Sequence, residues 1–373
     1  MKKGLKINLK GPVDAQYCCH IFLNFLETDV LTLDKEVMKK HQNTLPKASH
    51  FLRHEDPCKL THLDVMGKQN VTEFVFTGLF ESKKTELLLF FLFLLCYVAV
   101  LMGNGIILLT ICCSHLLEQP MYYFLCHLSL MDLCSTSVVV PQLIRNLAAT
   151  RKDISYNNCM TQLFTYHWMA GVEIFILVGM AFDRYVAIVK PLHYMMIMNR
   201  KRCHMLIAMA WGLGFWHSIA LLALGLSLPF CGPNVIDYYM CDIKPLLKLA
   251  CNDIHISSIL VIANSGTVAL SIFSVLLASY VLILYNLRTR SSAGRRKALS
   301  TCSSHMMVVF LFFVPCSYVY ILPAGAKNMD KEISVFYTVI APMLNPLIYT
   351  LRNKEMKIAM GKVWGRMSHS RLK

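Results

Sequence analysis

Long apolar segments alternate with short polar ones along the chain from residue 87 onward. Seven of these segments hold about the 20 mostly apolar residues that a helix needs to cross the hydrocarbon core of a bilayer. A spanning segment must satisfy its own backbone hydrogen bonds, so each is expected to be helical. The pattern predicts an all-α membrane protein, a seven-transmembrane helix bundle. Its predicted spans are Leu87–Cys112, Tyr122–Leu143, Cys159–Ile188, Met205–Leu226, Ile256–Leu284, His305–Leu322 and Ile333–Leu351.

The lysines and arginines between the spans predict the orientation of the bundle. They concentrate in the loop between spans three and four, in the loop between spans five and six, and in the C-terminal tail. Short loops rich in these residues stay on the cytoplasmic side of a membrane. The N-terminus is therefore expected outside and the C-terminus in the cytoplasm. Asn70, in the tripeptide Asn70-Val71-Thr72, lies on the predicted outer side and is a candidate N-glycosylation site.

The chain divides into three parts. Residues 1–65 mix lysines with acidic residues and contain no apolar run long enough to span a bilayer, so they are expected to be an atypical, poorly ordered extension. Residues 66–352 hold the seven spans. Residues 353–373 form a basic tail, which is expected to be cytoplasmic and to contain a short amphipathic helix.

The composition agrees with a membrane protein. The chain has 373 residues, of which 55% are hydrophobic and 16% are charged, whereas a soluble chain carries about 25% charged residues. A formal net charge of +15 would suit a nucleic-acid partner. The basic residues fall, however, in short loops beside apolar segments, which favours contact with the bilayer, and no nucleic-acid partner is expected.

Four cysteines lie at the outer mouth of span three or in the loop between spans four and five: Cys159, Cys231, Cys241 and Cys251. On an oxidising face of the membrane they can form two disulfides in any of three pairings, and their spacing leaves the choice open. A zinc site is the weaker alternative because the four contain no CxxC pair. A bridge from Cys159 into the loop between spans four and five would hold that loop across the mouth of the bundle.

Three polar residues interrupt the predicted spans, at Asp132, Glu173 and Asn345. Ionisable groups within a membrane face the interior of the bundle, because exposure to lipid is costly. Interhelical hydrogen bonding and an ion site explain them equally well. Two carboxylates and an amide oxygen suit a small cation such as sodium. A proton-relay transporter would use the same acids, although the inverted repeats of that class are not visible in the sequence.

The chain shows no signature of an enzyme. It lacks a phosphate-binding loop, a paired-histidine zinc motif and a nucleophile elbow. No catalytic activity is expected, and sodium is the one candidate cofactor.

The sequence contains DRYVAI at Asp183–Ile188, NPLIY at Asn345–Tyr349 and LSLMDL around Asp132. These motifs resemble those of the rhodopsin-like G-protein-coupled receptors. The sequence also contains PMYYFL at Pro120–Leu125, KALSTCSSH at Lys297–His305 and PMLNPLIYTLRNKEMK at Pro342–Lys357, which resemble the motifs of one branch of that class, the odorant receptors. The resemblance extends from about Met66 to Lys362, and the motifs occur in the order that the family has them.

The resemblance implies roles for the matching positions. A bridge from helix three to the second outer loop and a second bridge in that loop imply the disulfides Cys159–Cys241 and Cys231–Cys251. The polar site within the membrane implies a sodium ion, held by Asp132, Glu173 and Asn345. Coupling to the G protein is expected to use residues at the cytoplasmic ends of the helices: Asp183, Arg184, Tyr185 and Tyr349.

Odorant receptors bind small volatile molecules between helices three, five, six and seven, so the resemblance implies a ligand site there. The matching residues are Tyr166, His167, Ala170, Gly171, Phe313, Cys316, Ser317, Tyr320, Val335 and Thr338. A lone histidine such as His167 is more often held by a structural hydrogen bond than used as a ligand contact, and both roles stay open. Receptors for amines carry an aspartate where this chain has Tyr166, so an amine ligand is not expected.

The adjacent acid and arginine at the end of span three are predicted to form a latch in the resting state. Many receptors of the wider class hold this arginine with a second acid on helix six. This chain has the basic sequence RRKALSTC there. We therefore expect Asp183 to be the main group that holds Arg184.

The expected partners are a small volatile odorant, the lipid bilayer and a stimulatory, olfactory-type heterotrimeric G protein whose activation raises cyclic AMP. The expected location is the plasma membrane, with sensory cilia implied by the resemblance. Two alternatives remain. One is a non-olfactory receptor of the same class for a lipid or a peptide, and the other is a secondary transporter or channel that uses Asp132 and Glu173.

Overall fold

The computed structural model describes residues 71–79, 82–230, 233–251, 254–288, 292–322, 329–351 and 353–370. The predictions made for residues 1–65, for Asn70 and for Cys231 lie outside the described residues. Helices make up most of what is described.

Seven long helices succeed one another in the described chain, and the predicted all-α helix bundle is confirmed. They are α1 (Lys83–Cys112), α2 (Pro120–Ala148), α3 (Tyr156–Val189), α4 (Arg200–Ser227), α5 (Ile254–Val261, Ile262–Gly266 and Thr267–Leu287), α6 (Ser292–Ile321) and α7 (Asp330–Val335, Phe336–Ile340 and Ala341–Leu351). The middle segments of α5 and α7 are π-helical turns. A further helix, α8 (Lys354–Ser370), comes after α7 and buries Met356, Ala359 and Val363 on one face.

Six of these helices are long and apolar enough to cross a membrane, and the remaining one is α3. Its 34 residues are sufficient in length, but side chains such as Gln162, His167 and Glu173 make it more polar. These three side chains are buried, because α3 contacts α2, α4, α5 and α6. The polar side chains of α3 therefore face other helices rather than lipid, as intramembrane polar groups must.

The helices begin before the predicted spans, and polar side chains cap the starts of α3 and α4. The helix α4 begins at Arg200 rather than at Met205, and the Asn199 side chain accepts a hydrogen bond from the backbone N–H of Arg202 at 2.9 Å. The helix α2 begins at Pro120, a residue whose fixed backbone angle suits the first helical position. Hydropathy detects the part of a helix that crosses lipid, whereas the caps lie in more polar surroundings.

The bundle has two ends. We call the end that holds the disulfide between Cys159 and Cys241 the disulfide end, and the end that holds Arg184 the arginine end. A close contact between α3 and α4 lies between them. A Cβ atom on Gly214 would lie 2.7 Å from the backbone nitrogen of Val172, so only glycine allows the two helices to approach this closely.

A small β-sheet covers the disulfide end and was not predicted. Strand β1 (Glu73–Phe76) lies in the middle, with β2 (Asp153–Ser155) antiparallel to it and β3 (Val235–Ile236) parallel to it. Phe74 is fully buried under the sheet, and its ring centroid lies 5.4 Å from that of Phe230. The sheet thus joins the chain before α1 to the loop before α3 and to the loop between α4 and α5.

Candidate functional site

A cavity of about 320 Å³ lies between α3, α4, α5, α6 and α7. Its walls are mostly apolar and aromatic, with a few polar groups, which is the usual character of a small-molecule site. The lining residues are Tyr166, His167, Ala170, Gly171, Ile174, Phe175, Leu213, Trp216, His217, Asn264, Ser265, Val268, Ala269, Phe312, Cys316, Tyr320 and Tyr337.

Six of the ten residues predicted for the ligand site line this cavity, and four do not. Those that line it are Tyr166, His167, Ala170, Gly171, Cys316 and Tyr320. Those that do not are Phe313, Ser317, Val335 and Thr338.

The four residues outside the cavity are buried or half-buried elsewhere in the bundle. The ring of Phe313 is fully buried and stacks on that of Phe273, with centroids 5.7 Å apart. The hydroxyl of Thr338 donates to the backbone carbonyl of Ser334 at 2.9 Å. Ser317 is buried, and Val335 is half-buried at the end of the first segment of α7.

The sequence missed the contribution of α4 and of the two π-helical turns. From α4 the cavity receives Leu213, Trp216 and His217, although the resemblance pointed to helices three, five, six and seven. The π-helical turn of α5 supplies Asn264 and Ser265, and that of α7 supplies Tyr337. A π-helical turn inserts one residue into the helix and rotates the turn that follows. The spacing of hydrophobic residues in the sequence does not show where such a turn occurs. π-Helical turns are frequent at functional sites.

The loop between α4 and α5 closes the cavity at the disulfide end with a buried carboxylate, Asp242. Its Oδ1 lies 3.0 Å from His167 Nε2 and accepts the backbone N–H of Ile243 at 2.6 Å. Its Oδ2 accepts the hydroxyl of Tyr320 at 2.9 Å. Burial alone would raise the pKa of Asp242, but these hydrogen bonds outweigh it and hold the pKa below its ordinary value. His167 therefore lines the cavity and also holds the loop.

The same loop carries a buried lysine. Lys244 Nζ lies 2.9 Å from Asp330 Oδ2 on α7 and donates to the backbone carbonyl of Val319 on α6 at 2.5 Å. The lysine side chain is 4% exposed and the aspartate side chain 10%. Lys244 thus joins the loop to α7 by an ion pair and to α6 by a hydrogen bond.

Two adjacent tyrosines and a disulfide complete this closure. The hydroxyl of Tyr239 lies 2.8 Å from Ser334 Oγ, and the hydroxyl of Tyr238 donates to the backbone carbonyl of Asp330 at 3.2 Å. Cys159 at the start of α3 and Cys241 in the loop form a disulfide with their Cα atoms 5.4 Å apart. Cys251 is also disulfide-bonded. The loop is therefore anchored to α3, α6 and α7 at once.

The polar residues predicted inside the membrane lie together between α2, α3 and α7. The side-chain amide of Asn345 donates to both carboxylate oxygens of Asp132, at 3.1 and 2.9 Å. The carboxyl groups of Asp132 and Glu173 hydrogen-bond to each other. Two carboxyl groups this close must share a proton or a cation.

The donor set at this site fits a small hard cation. Asn345 Oδ1 is buried and has no hydrogen-bond partner within the described chain, so an oxygen ligand is left over beside two carboxyl groups. No group of three or more His, Cys, Asp or Glu residues suited to a metal ion occurs among the described residues. Carboxylate and amide oxygens are ligands that suit a hard cation better than a transition metal.

At the arginine end, Asp183 is fully buried and bonds to two groups. Its Oδ2 accepts Arg184 Nε at 2.9 Å and also contacts Arg184 Nη2. Its Oδ1 accepts the hydroxyl of Tyr194 at 2.7 Å. The latch between Asp183 and Arg184 is therefore not held by this pair alone. Burial and the neighbouring Asp183 raise the pKa of Tyr194, so its hydroxyl remains a donor.

The other two residues expected to engage the G protein lie close to the latch. Tyr185 packs on a cluster formed by Tyr280 and Ile283 of α5 and Cys302 of α6. Tyr349 on α7 is buried, and its hydroxyl has no hydrogen-bond partner in the described part of the chain.

A sequence profile of the olfactory receptor family matches residues 93–366. Human olfactory receptor 4S2 is 54% identical to this chain over 297 residues, which cover 80% of this chain and 96% of that protein. Mouse olfactory receptor 4B13 is 52% identical over 297 residues, covering 80% of this chain and 97% of that protein. The chain belongs to the olfactory receptor family. The predicted resemblance is thus confirmed, and the chain is a multi-pass plasma-membrane receptor rather than an enzyme.

The odorant-receptor motifs of this olfactory receptor meet where α2, α7 and α8 join. The hydroxyl of Tyr122, from PMYYFL, donates to Asn353 Oδ1 at 2.9 Å and to Glu355 Oε2 at 3.2 Å. Asn353 Oδ1 also accepts the backbone N–H groups of Glu355 and Met356, which caps α8. Motifs far apart in the sequence therefore form one joint at the arginine end.

Proposed function

We propose that this receptor binds a small volatile odorant in the cavity between α3, α4, α5, α6 and α7. In response it activates a stimulatory, olfactory-type G protein that raises cyclic AMP. The cavity carries this proposal, because its volume and mostly apolar lining suit a small organic molecule. The coupling to a G protein is inferred from the family, because receptors of this family signal through G proteins.

Activation proceeds as a shift between a resting and an active arrangement of the helices. An odorant that binds the active arrangement more tightly shifts the equilibrium by the ratio of its two affinities. The helix α6 connects the cavity to the arginine end. Its residues Phe312 and Cys316 line the cavity, while Cys302 and His305 lie toward the arginine end. The hydroxyl of Tyr280 on α5 hydrogen-bonds to His305, so α5 and α6 are expected to move together.

We place the arginine end in the cytoplasm and the disulfide end outside. The basic residues Arg200, Lys201 and Arg202 at the start of α4 lie at the arginine end, and basic loops favour the cytoplasmic side. A disulfide at the opposite end suits the oxidising outer face. Arg184 then faces the G protein once the latch opens.

We propose that Asp132, Glu173 and Asn345 hold a sodium ion in the resting arrangement. The observation in favour is the unpartnered Asn345 Oδ1 beside two carboxyl groups. Sodium is expected to raise the unfolding temperature of the purified receptor relative to an equal concentration of choline chloride. This difference disappears in Asp132→Asn, and a difference that persists in that variant contradicts the assignment.

The proposed function is tested by expressing the full chain with an olfactory-type G protein and screening odorant mixtures by cyclic AMP. At least one mixture is expected to raise cyclic AMP, and Arg184→Ala is expected to abolish that rise at equal surface expression. No response to any mixture, or a response that Arg184→Ala leaves intact, contradicts the proposal.

Tyr194→Phe is expected to raise basal cyclic AMP about two- to tenfold, the effect of losing one hydrogen bond from the resting state. The variant removes only the hydroxyl that Asp183 accepts at 2.7 Å. The control is Tyr318→Phe, an exposed tyrosine on α6. Equal basal signalling in the two variants at equal surface expression would show that Tyr194 does not hold the latch.

A further inference from the structure

One wall of the cavity carries a buried hydroxyl group without a hydrogen-bond partner in the described chain. Ser265 lies in the π-helical turn of α5, lines the cavity and is only 8% exposed. A hydroxyl kept from water without a partner costs free energy, so the site is incomplete until something supplies one.

Two nearby hydroxyl groups on α5, those of Thr267 and Ser274, are hydrogen-bonded within the helix. Thr267 Oγ1 donates to the carbonyl of Ala263 at 2.5 Å, and Ser274 Oγ donates to that of Leu270 at 2.8 Å. Serine and threonine in helices commonly bond in this way to the preceding turn. Ser265 makes no such bond, and its place in a π-helical turn on the cavity wall distinguishes it from the others.

The charge of the cavity restricts what can bind beside Ser265. The cavity lining, as described, contains no Lys, Arg, Asp or Glu. The carboxylate at its rim, Asp242, already accepts three hydrogen bonds. The His217 side chain is hydrogen-bonded to Asn264. An ionised ligand would therefore be buried without a counter-ion, at a cost that a neutral ligand avoids.

We propose that the cavity takes a neutral molecule with an apolar body and an oxygen atom that accepts a hydrogen bond from Ser265. Ketones, aldehydes, esters and alcohols have this chemistry, whereas carboxylates and protonated amines do not. The apolar body then contacts the walls formed by Ile174, Phe175 and Phe312. This inference rests on the proposed function, because it names the class of odorant for the same cavity.

The test uses five ligands on one carbon skeleton: a ketone, an alcohol, a carboxylate, an amine and the alkane. Cyclic AMP is measured as a function of ligand concentration in cells expressing the full chain. The ketone and the alcohol are expected to act at the lowest concentrations. Ser265→Ala is expected to raise their half-maximal concentrations about tenfold, the effect of one lost hydrogen bond.

Two further variants test whether the effect of Ser265→Ala is due to the loss of its hydroxyl group. Ser265→Thr retains the hydroxyl and is expected to keep most of the potency, while Ser274→Ala, on the outer face of α5, is expected to change nothing. A preference for the carboxylate or the amine, or unchanged potency in Ser265→Ala, overturns the inference while leaving the proposed function in place. If none of the five ligands raises cyclic AMP although an odorant mixture does, the inference is overturned and the proposed function stands; if no mixture raises cyclic AMP either, both fail.

A second observation concerns the path by which a ligand reaches the cavity. Three lining residues are also exposed on the outer surface of the bundle, where a membrane protein meets lipid. Leu213 and Trp216 on α4 are 45% and 68% exposed, and Val268 on α5 is 38% exposed. At the disulfide end, by contrast, Asp242, Lys244 and the disulfide are all buried.

We infer that odorants enter the cavity from the bilayer, between α4 and α5. Neutral molecules with an apolar body dissolve in the hydrocarbon core, so the bilayer supplies them at high local concentration. The wall at this point can open without breaking the network of the α4–α5 loop. The hydrogen bond that Asn264 Nδ2 donates to the His217 carbonyl is long, at 3.4 Å.

Val268→Trp tests this path because it places a bulky side chain between α4 and α5. A real-time cyclic AMP sensor monitors the response during odorant addition and removal. The response is expected both to rise and to decay several-fold more slowly, because a blocked path slows entry and exit alike, whereas a change in the cavity lining alone would change one of these rates more than the other. Leu95→Trp, at an exposed position on α1 away from the cavity, is the control. Unchanged rates in Val268→Trp, or an equal slowing in Leu95→Trp, overturn the inference.

Discussion

Lys244→Ala is expected to lower the free energy of unfolding of the receptor by about 3–5 kcal/mol, because it leaves a buried charge unpaired. Lys244 Nζ lies 2.9 Å from Asp330 Oδ2, and both side chains are almost fully buried. Asp330 Oδ1 has no hydrogen-bond partner in the described chain, so the lysine is the main compensation for this carboxylate. The measurement is the thermal unfolding of the purified receptor, together with its level at the cell surface.

Lys248→Ala is the matched control for this prediction. Lys248 lies in the same loop, four residues further on, and is exposed. Exposed charges contribute little to stability, so this variant is expected to unfold like the wild type. A double variant, Lys244→Met with Asp330→Leu, is expected to recover much of the lost stability, because it removes both buried charges. Equal stability of Lys244→Ala and Lys248→Ala would contradict the buried ion pair.

Asp183→Asn is expected to raise basal cyclic AMP about tenfold or more. Hydrogen bonds to charged groups stabilise a state by about 1.5–3 kcal/mol, and the substitution removes the charge that holds Arg184 at 2.9 Å. The resting arrangement loses this stabilisation, and the active population rises by the corresponding factor. The measurement is cyclic AMP without odorant, at matched surface expression.

The control for the latch is Asp153→Asn, which makes the same chemical change at the disulfide end. Asp153 lies 3.7 Å from Arg151, and both side chains are largely exposed. We expect no change in basal signalling from this variant. If Asp183→Asn also signals like the wild type, Asp183 does not restrain the receptor.

The helices were predictable because each holds an apolar run of spanning length, and the polar residues of α3 were visible in the same pattern. Strands β2 and β3 were not predictable, because three and two residues carry too short a pattern. Their pairing with β1 depends on residues far apart in the chain. The sheet is a product of tertiary packing rather than of local sequence.

The closure of the cavity by the loop between α4 and α5 could not be predicted from the sequence for a similar reason. In the sequence Lys244 is a lysine in an outer loop, with the character of a solvated charge. It is buried only because the disulfide from Cys159 and the bonds of Asp242 draw the loop into the mouth of the bundle. The burial of Lys244 depends on contacts with α3, α6 and α7. The order of residues within the loop does not indicate these contacts.

The cavity lies among the helices where the sequence placed the ligand site, but four of the ten predicted residues do not line it. On α7 the predicted residue Thr338 does not line the cavity, whereas its neighbour Tyr337, in the same π-helical turn, does. On α6 the same exchange occurs between Phe313 and Phe312. Tyr194 was missed because it lies in the loop after α3, eleven residues beyond the aspartate that it contacts.

The central claim is that a ligand in the cavity controls a latch at the opposite end of the bundle. It is tested most directly by adding Ala170→Trp, which fills the cavity, to the Asp183→Asn receptor and measuring cyclic AMP with and without an activating odorant. Ala170 lines the cavity on α3. We predict that the raised basal signal persists, showing a folded and coupled receptor, while the odorant response is lost. A double variant that still responds to the odorant at wild-type concentrations would contradict the claim.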